Sequence, residues 1–510
     1  MRAAAHSVYL YAALLFTICS IAYWGVYSVN AYNTFHEYTA MDYYAYSMYY
    51  AANYPGQIGW LQMLVFGAHI APDQLAVLVL YSIFQSPITL LLVQEAILSA
   101  TGLLVFFVAR DLLGSDGLGL LLCFAFLVSP AMHGLLVFDY HAEMFILPFY
   151  VLTFYFYMKR DSARFIASLV ALLGAMDVAP ILVIAMWLGL VAFELTHKGR
   201  NGRPNSGRLR LGMWMPALSI AALLFYNAVY YLLVAGYAAQ PAAVPPFLRV
   251  TPWPGVPLLG GNSSYSIGGA IPNPSSGLNF YVIYGTLAGV FAFGFSGLAE
   301  ILPLVIFLSP WVAAISLFGT WWFASVDRHY FAYVLGGALA ASILGISDIM
   351  SSGSPIGRLL GAARSAARRR AVGALIISST LSITAVVLAI SLFTYTPGNS
   401  TSFFQTVLLK LNASQRQSYA DLTQMIALVP QNASLMTQDS IMPHVINRQN
   451  VELFWFTPYF RPQYILLDPS NSLLTPYLPA DQYQPAYVYI SENNYTLVAR
   501  SGTAMLYRSG

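Results

Sequence analysis

Charge is what this sequence has least of. Acidic and basic side chains make up 8% of its 510 residues, 20 Asp and Glu against 23 Lys and Arg, where a soluble domain carries about 25%. Cysteine is nearly absent as well. Cys19 and Cys123 both lie inside apolar runs, which argues against a disulfide framework and against a thiolate metal site. A net charge of +3 is too small to point to nucleic acid as a partner. What is present is apolar: 58% of the residues are hydrophobic, in repeated runs long enough to cross a bilayer, since about 30 Å of hydrocarbon takes roughly 20 helical residues.

The runs predict an all-α polytopic membrane protein with about eleven transmembrane helices. They lie near 8–28, 86–109, 117–135, 144–158, 164–176, 178–195, 211–235, 279–297, 302–322, 329–349 and 371–393. The first run is long, aromatic-rich and lacks a small-residue cleavage site after it, so it reads as a retained span and not a signal peptide. Between Ile58 and Gln85 the apolar stretch is broken by Gly67, His69, Pro72 and Asp73, the pattern of interfacial or re-entrant helices.

Orientation follows from the basic residues. Lys159, Arg160 and Arg164, then Lys198 to Arg210, then Arg358 to Arg370 form three clusters that the positive-inside rule places in the cytoplasm, together with the N-terminus. Residues 30–85, 136–143, the turn at Asp177, 236–278, 323–328 and everything after Tyr395 then fall outside the plasma membrane. Asn-x-Ser/Thr sequons begin at Asn262, Asn399, Asn412, Asn432 and Asn494. All lie in those exterior segments, as glycosylation acceptors must.

The boundary of the membrane part is expected at 1–395, with 396–510 a small exterior α/β domain. In that tail an amphipathic helix fits 414–428, strands fit 433–437, 451–456 and 463–467, and a hairpin fits 486–507 about Ser501 and Gly502. Its acids have no catalytic spacing and read as solvated surface.

With charge so scarce, each acid near an apolar run must offset a desolvation penalty by partners, water or function. On the exterior side the polar residues recur at span ends: Glu37 and Asp42, His69, Asp139 with His141 and Glu143, Asp177, then Asp327, Arg328 and His329. If the helices bundle, these ends line one cavity at the membrane boundary. The alternative is a set of ordinary polar loop ends. Asp42 suits a general base, because a partly desolvated carboxylate titrates closer to working pH; an interfacial aspartate is the bland reading. Tyr43, Tyr44, Tyr46, Tyr49 and Tyr50 beside it read first as an interface belt and second as sugar-stacking faces.

Asp139, His141 and Glu143 place two carboxylates and an imidazole within five residues, a candidate for a divalent cation or a satisfied polar turn. Arg328 beside His329 suits an anionic phosphate, since guanidinium matches phosphate in a bidentate manner. Glu95 is the acid plainly inside a span, the residue a transporter would use or a buried neutral carboxyl. Glu194 and Glu300 lie near span ends and call for less explanation. Gly260, Gly261, Gly268 and Gly269 read as turn residues in a Pro/Ser/Asn-rich loop.

These pieces carry a resemblance. Asp42 in the first exterior loop, Gly67-Ala68-His69-Ile70-Ala71-Pro72, Phe138-Asp139-Tyr140-His141-Ala142-Glu143, His329-Tyr330, Met442-Pro443-His444-Val445-Ile446-Asn447-Arg448 and Tyr464-Ile465-Leu466-Leu467-Asp468 make the chain similar to a prokaryotic family of uncharacterised predicted membrane proteins. That family in turn resembles the GT-C glycosyltransferases. The resemblance implies transfer of a sugar from a polyprenyl-phosphate donor at the outer face, with Asp42 as base or acceptor-orienting group. It also implies phosphate contact at Arg328 and His329. From their place at the exterior span ends, His69, Asp139, His141, Glu143 and Asp177 are the further candidates for shaping the substrate pocket. Many GT-C members carry a second acid directly after the first, where this chain has Tyr43. Membrane lipids are expected partners, and a transporter, a lipid flippase or a non-catalytic scaffold are the competing readings; no convincing internal repeat favours the first two.

Overall fold

The computed structural model describes residues 2–35, 39–57, 61–66, 69–137, 139–197, 205–239, 293–318, 332–350, 373–374, 378, 413–438, 440–448, 450–453, 461–469 and 483–510. The chain opens with helix α1 (Arg2–Asn33), followed by α2 (Thr39–Asn53), a two-residue strand β1 (Val65–Phe66), its partner β2 (His69–Ile70) and α3 (Gln74–Ile83). The hairpin was not expected. Its strands are too short to show a two-residue period, and it forms because Val65 and Ile70 bury against Tyr226, Val229 and Leu233 of a later helix.

Helix α4 (Pro87–Leu113) begins where the Ser86 hydroxyl accepts the Ile88 amide at 3.3 Å with Pro87 in the first turn, an N-terminus that leaves one orphan donor fewer. The expected span 117–135 is broken into α5 (Asp116–Leu127) and α6 (Pro130–Val137), bent by 48°. Pro130 has no amide to continue α5, and Ser129 bridges the break: its hydroxyl donates to Phe126 O at 3.0 Å and accepts the Met132 amide at 3.1 Å. Then come α7 (Ile146–Lys159), α8 (Ser162–Gly174), α9 (Ala179–Thr196), α10 (Ser206–Gly212), α11 (Trp214–Ala239), α12 (Ile301–Phe318) and α13 (Ala332–Met350).

Among the described residues five helical stretches are long and apolar enough to cross a membrane: Ser7–Asn33, Pro87–Leu113, Ala179–Thr196, Ser206–Leu233 and Ala332–Met350, or six if the bent α5–α6 pair is one span. Most of 279–297 and of 371–393, where further crossings are expected, lies outside the described residues. α1 packs on α4 and α5, and α12 lies between α9 and α13. Helices in lipid are held by close van der Waals fit, and here the fit needs glycine. A Cβ at Gly189 of α9 would lie 2.2 Å from the Phe307 ring of α12, and one at Gly337 of α13 would lie 2.8 Å from Phe307 Cβ.

The tail begins with α14 (Ala413–Leu428), close to the expected helix. The Arg448 guanidinium donates to Val429 O at 3.0 Å and to Pro430 O, closing its C-terminal end. Strands β3 (Leu435–Thr437), β4 (Val451–Leu453), β5 (Tyr464–Leu467), β6 (Tyr495–Ser501) and β7 (Ala504–Ser509) make one mixed sheet in the order β4-β3-β5-β7-β6. β3 pairs parallel with both neighbours, while β5, β7 and β6 run antiparallel, and β3 is buried throughout, as a central parallel strand should be. The hairpin turns at Gly502, whose φ of 56° suits glycine. Its first strand starts at Tyr495, later than the 486 expected, because residues 483–492 form helix α15 (Tyr483–Glu492), which buries Ala486 and Ile490 four apart on one face. Of the sequons, Asn432 and Asn494 are described and both are exposed.

The sheet unit rests on the start of the chain. The His444 ring stacks between Tyr32 and Phe35 at 4.2 and 4.0 Å, and the Tyr46 hydroxyl of α2 accepts the Val451 amide at 3.4 Å. α2 thus lies between the membrane helices and the sheet unit. Tyr44, Tyr46 and Tyr50 are buried in that sandwich and do not form an interface belt.

Candidate functional site

The site forms where α2, the β1–β2 hairpin, the loop after α6, the turn before α9 and the start of α13 meet. Asp42 lies on α2, and its side chain is outside the described residues, as are Arg328, His329, Glu37 and Asp327. The residue before Asp42 fixes the helix in place: the Met41 amide donates to Asp139 Oδ2 at 2.7 Å across a buried contact. An N-terminal helix amide has no partner inside its own helix, and a carboxylate is its strongest acceptor.

Asp139 belongs to a loop that α4 holds from below. The Gln94 side-chain amide donates to Leu135 O and Asp139 O, each at 3.3 Å, while its oxygen accepts the His141 amide at 2.8 Å. His141 Nδ1 sits 3.0 Å from Asp139 O and 3.7 Å from Asp139 Oδ1. The Tyr44 ring meets Tyr140 edge-on at 5.4 Å and His141 at 5.6 Å, and the Tyr140 hydroxyl donates to Gln74 Oε1 at the start of α3.

His69 and Asp177 form the second half. Asp177 Oδ1 is 3.1 Å from His69 Nδ1, and Oδ2 accepts the Ile70 amide at 3.4 Å, so one carboxylate holds both the imidazole and the strand beneath it. Burial lowers the proton affinity of His69, but the charge and hydrogen bond of Asp177, with the charge of Glu143, outweigh it and raise the imidazole above its ordinary value. Glu143 is fully buried, and its Oε1 accepts from the Tyr333 hydroxyl of α13 at 3.0 Å. Burial raises its carboxyl, with His69 pulling the other way.

His69, Asp139, His141, Glu143 and Asp177 are thus gathered in one region beside α2. The suggested cation trio is not gathered around one point. Glu143 turns to His69 and Tyr333, whereas Asp139 Oδ2 is taken by the Met41 amide. The sequence gives no sign of Gln94, Gln74 and Tyr333 as site residues, and it marks Asp73 only as a break in an apolar stretch. Burial pushes the Asp73 carboxyl up to about 7, and its charge reaches the same Tyr226 hydroxyl that Asp177 reaches. The available signal was its place directly after Pro72, at the break that precedes α3. Glu95 is also fully buried, but Ser28 of α1 answers it at 2.9 Å, while the neighbouring Gln94 serves the loop.

The arrangement joins an imidazole paired with a carboxylate, several buried carboxyl groups and buried tyrosines at one end of the helices, a setting in which an anionic phosphate and a hydroxyl nucleophile can both be accommodated. The family described as Predicted membrane protein (DUF2079) matches residues 25–500. No curated protein matches the sequence. Among solved structures the chain is similar to ArnT from Cupriavidus metallidurans in the apo state, with a TM-score of 0.51, 14% identity and 97% of each chain covered. The same protein bound to undecaprenyl phosphate gives a TM-score of 0.47 at 16% identity, again over 97% of each chain. The first likeness shows the fold alone, one similar to that of ArnT.

Proposed function

The chain belongs to the membrane-protein family described as Predicted membrane protein (DUF2079), and on that premise we propose that it is a GT-C-type glycosyltransferase moving a sugar from a polyprenyl-phosphate donor to an acceptor at the outer membrane face. The observation that carries this reading is the bond from the Met41 amide to Asp139. It fixes the helix bearing Asp42 against the loop of His141 and Glu143, in a fold of the GT-C kind.

In this reading the acceptor hydroxyl loses its proton to the Asp42 carboxylate as its oxygen bonds to the anomeric carbon. The bond from that carbon to the phosphate oxygen breaks, and the electron pair leaves on the polyprenyl phosphate. A phosphate leaving group needs cationic stabilisation more than it needs a proton. His69, whose proton affinity Asp177 and Glu143 raise against the effect of burial, contributes to it together with Arg328 and His329. Asp139, His141, Glu143 and Asp177 shape the pocket. The proposed topology has about eleven crossings, a cytoplasmic N-terminus and residues 396–510 as an exterior domain, whose contacts with Tyr32, Phe35 and Tyr46 brace α2 from outside.

The test is Asp42→Asn in cells whose surface glycans are profiled beside a deletion strain. The variant is expected to reproduce the deletion pattern while matching wild type in membrane abundance. A wild-type glycan pattern in the variant, where deletion alters it, removes Asp42 from catalysis.

A further inference from the structure

The helices that reach the site carry a second polar cluster at their opposite ends. Asp177 precedes α9 and His197 follows it, and an 18-residue helix separates its ends by about 27 Å. Tyr333 lies at the start of α13 and Asp348 near its end. Glu300 closes the 3-10 turn that leads into α12. His197 Nε2 lies 3.1 Å from Glu300 Oε1 and 3.3 Å from Asp348 Oδ1, and one ligand atom from each of the three residues lies within 4.8 Å of the others. Glu300 and Asp348 are 3% and 9% exposed, His197 about a third.

Two features of this cluster are odd for an ion pair. Two carboxylates are buried side by side, which raises the energy of both charges. And the histidine is turned the wrong way. Its Nδ1 lies 3.2 Å from Phe193 O, a carbonyl that only accepts, and 3.1 Å from Thr196 Oγ1, whose hydrogen already points to Ala192 O or Phe193 O. Nδ1 therefore carries the proton, and in the neutral ring Nε2 presents a lone pair to the two acids. In keeping with this, buried Glu300 Oε1 has no hydrogen-bond partner although the imidazole nitrogen is 3.1 Å away. Arg208, at the same end of α9, is committed to Glu194 at 2.9 Å and Met158 O at 3.0 Å.

A ring that donates Nδ1–H to a backbone carbonyl and aims Nε2 at carboxylates is the arrangement of a metal-binding histidine. Zinc–nitrogen and zinc–oxygen bonds of about 2.0–2.2 Å put tetrahedral ligands about 3.4 Å apart, close to the 3.1 and 3.3 Å between His197 and the two acids. We infer that His197, Glu300 and Asp348 bind one divalent transition-metal ion, Zn2+ foremost, with a fourth position open to water on the exposed side of the imidazole. One nitrogen and two carboxylate oxygens favour such an ion over the all-oxygen preference of Mg2+ or Ca2+. The ion staples α9, the turn before α12 and α13 at the end remote from the site. The close seating of that turn on α13 supports this, for a Cβ at Gly345 would fall 2.0 Å from Ser296 O. The inference does not depend on the sugar-transfer reading.

The test uses the full-length protein in detergent, stripped with a chelator and then titrated with Zn2+ against a chromophoric competitor, with bound metal counted by mass spectrometry. The expected result is about one Zn2+ per chain, weakened at least tenfold by Glu300→Gln or by Asp348→Asn and retained by His197→Cys, which substitutes one zinc ligand for another. Zn2+ should raise the melting temperature of wild type and leave that of folded Glu300→Gln unmoved. His141→Gln, at the other cluster, should leave the titration as it is. Absence of Zn2+ binding by wild type, equal binding by Glu300→Gln, or loss of binding in His141→Gln would each overturn the assignment.

Discussion

The two ends of α9 and α13 solve the same problem in different ways. At one end Asp177, Asp139 and Glu143 are answered by the polypeptide: backbone amides of Ile70 and Met41, the His69 imidazole and the Tyr333 hydroxyl all donate to them. At the other end Glu300 and Asp348 face one imidazole whose proton is already spoken for. The contrast teaches that a buried acid in a nearly chargeless chain draws hydrogen bonds from the backbone and from neighbouring side chains where these reach it, and leaves room for a cation where they do not. It also separates residues whose removal breaks the protein from residues whose removal only removes a ligand.

Asp139→Ala is expected to have the largest effect. It strips the acceptor from the buried Met41 amide, and leaving such a group unsatisfied costs about 1–3 kcal/mol. The melting temperature in detergent should fall, and under the proposed function sugar transfer should fall with it, because α2 loses its anchor. Glu300→Gln in metal-free protein should do the opposite. It neutralises one of two adjacent buried charges at constant volume, so stability should hold or rise. If Glu300→Gln destabilises the metal-free protein as much as Asp139→Ala does, the two ends are alike and the comparison fails.

Much of the first end was legible in the sequence. Once the basic clusters set the orientation, His69, Asp139, Glu143 and Asp177 fall on one side at span ends, and bundled helices bring such ends together. What could not be read were the neutral partners. Gln94, Gln74 and Tyr333 hold the loop in place, but an amide or phenol on an apolar helix carries no mark of its role until its partner is known. The second end was less legible. Glu300 looks like an ordinary span-end acid because its meaning comes from His197 and Asp348, which lie on other helices. The first crossing of α5 and α6 misled for a local reason, since its hydropathy is continuous while Ser129 and Pro130 break the backbone.

A smaller effect is expected from pH, because only protonation changes and the hydrogen-bonding atoms remain. His69 is raised above its ordinary 6.5 and Glu143 above its ordinary 4.5. In both, the folded state binds the proton more tightly than the unfolded state. Their contribution to stability is therefore complete below those ordinary values and is lost as pH rises through the raised ones. Thermal melting between acid and mild alkali should show stability falling with rising pH. His69→Gln should flatten the part of that fall above 6.5, and Glu143→Gln the part that begins at 4.5. A wild-type pH profile in both variants would mean that the network at this end does not hold its protons as the geometry implies.

The smallest effect separates burial from charge. Lys159 and Asp111 pair at 2.8 Å near the ends of α7 and α4, with side chains 44% and 39% exposed. Asp111→Asn breaks a shorter contact than either one at His197, yet water screens both partners, and an exposed pair contributes about 0.2–1 kcal/mol at most. Its melting temperature should stay close to that of wild type, with or without Zn2+. A shift as large as that of Asp139→Ala would mean that surface charge governs this chain, and the distinction between answered and unanswered buried acids would lose its force. A null result leaves burial as the variable: at 3% exposure Glu300 meets, among the described residues, the charges of His197 and Asp348 away from water, whereas Asp111 has the solvent beside Lys159 and Tyr155.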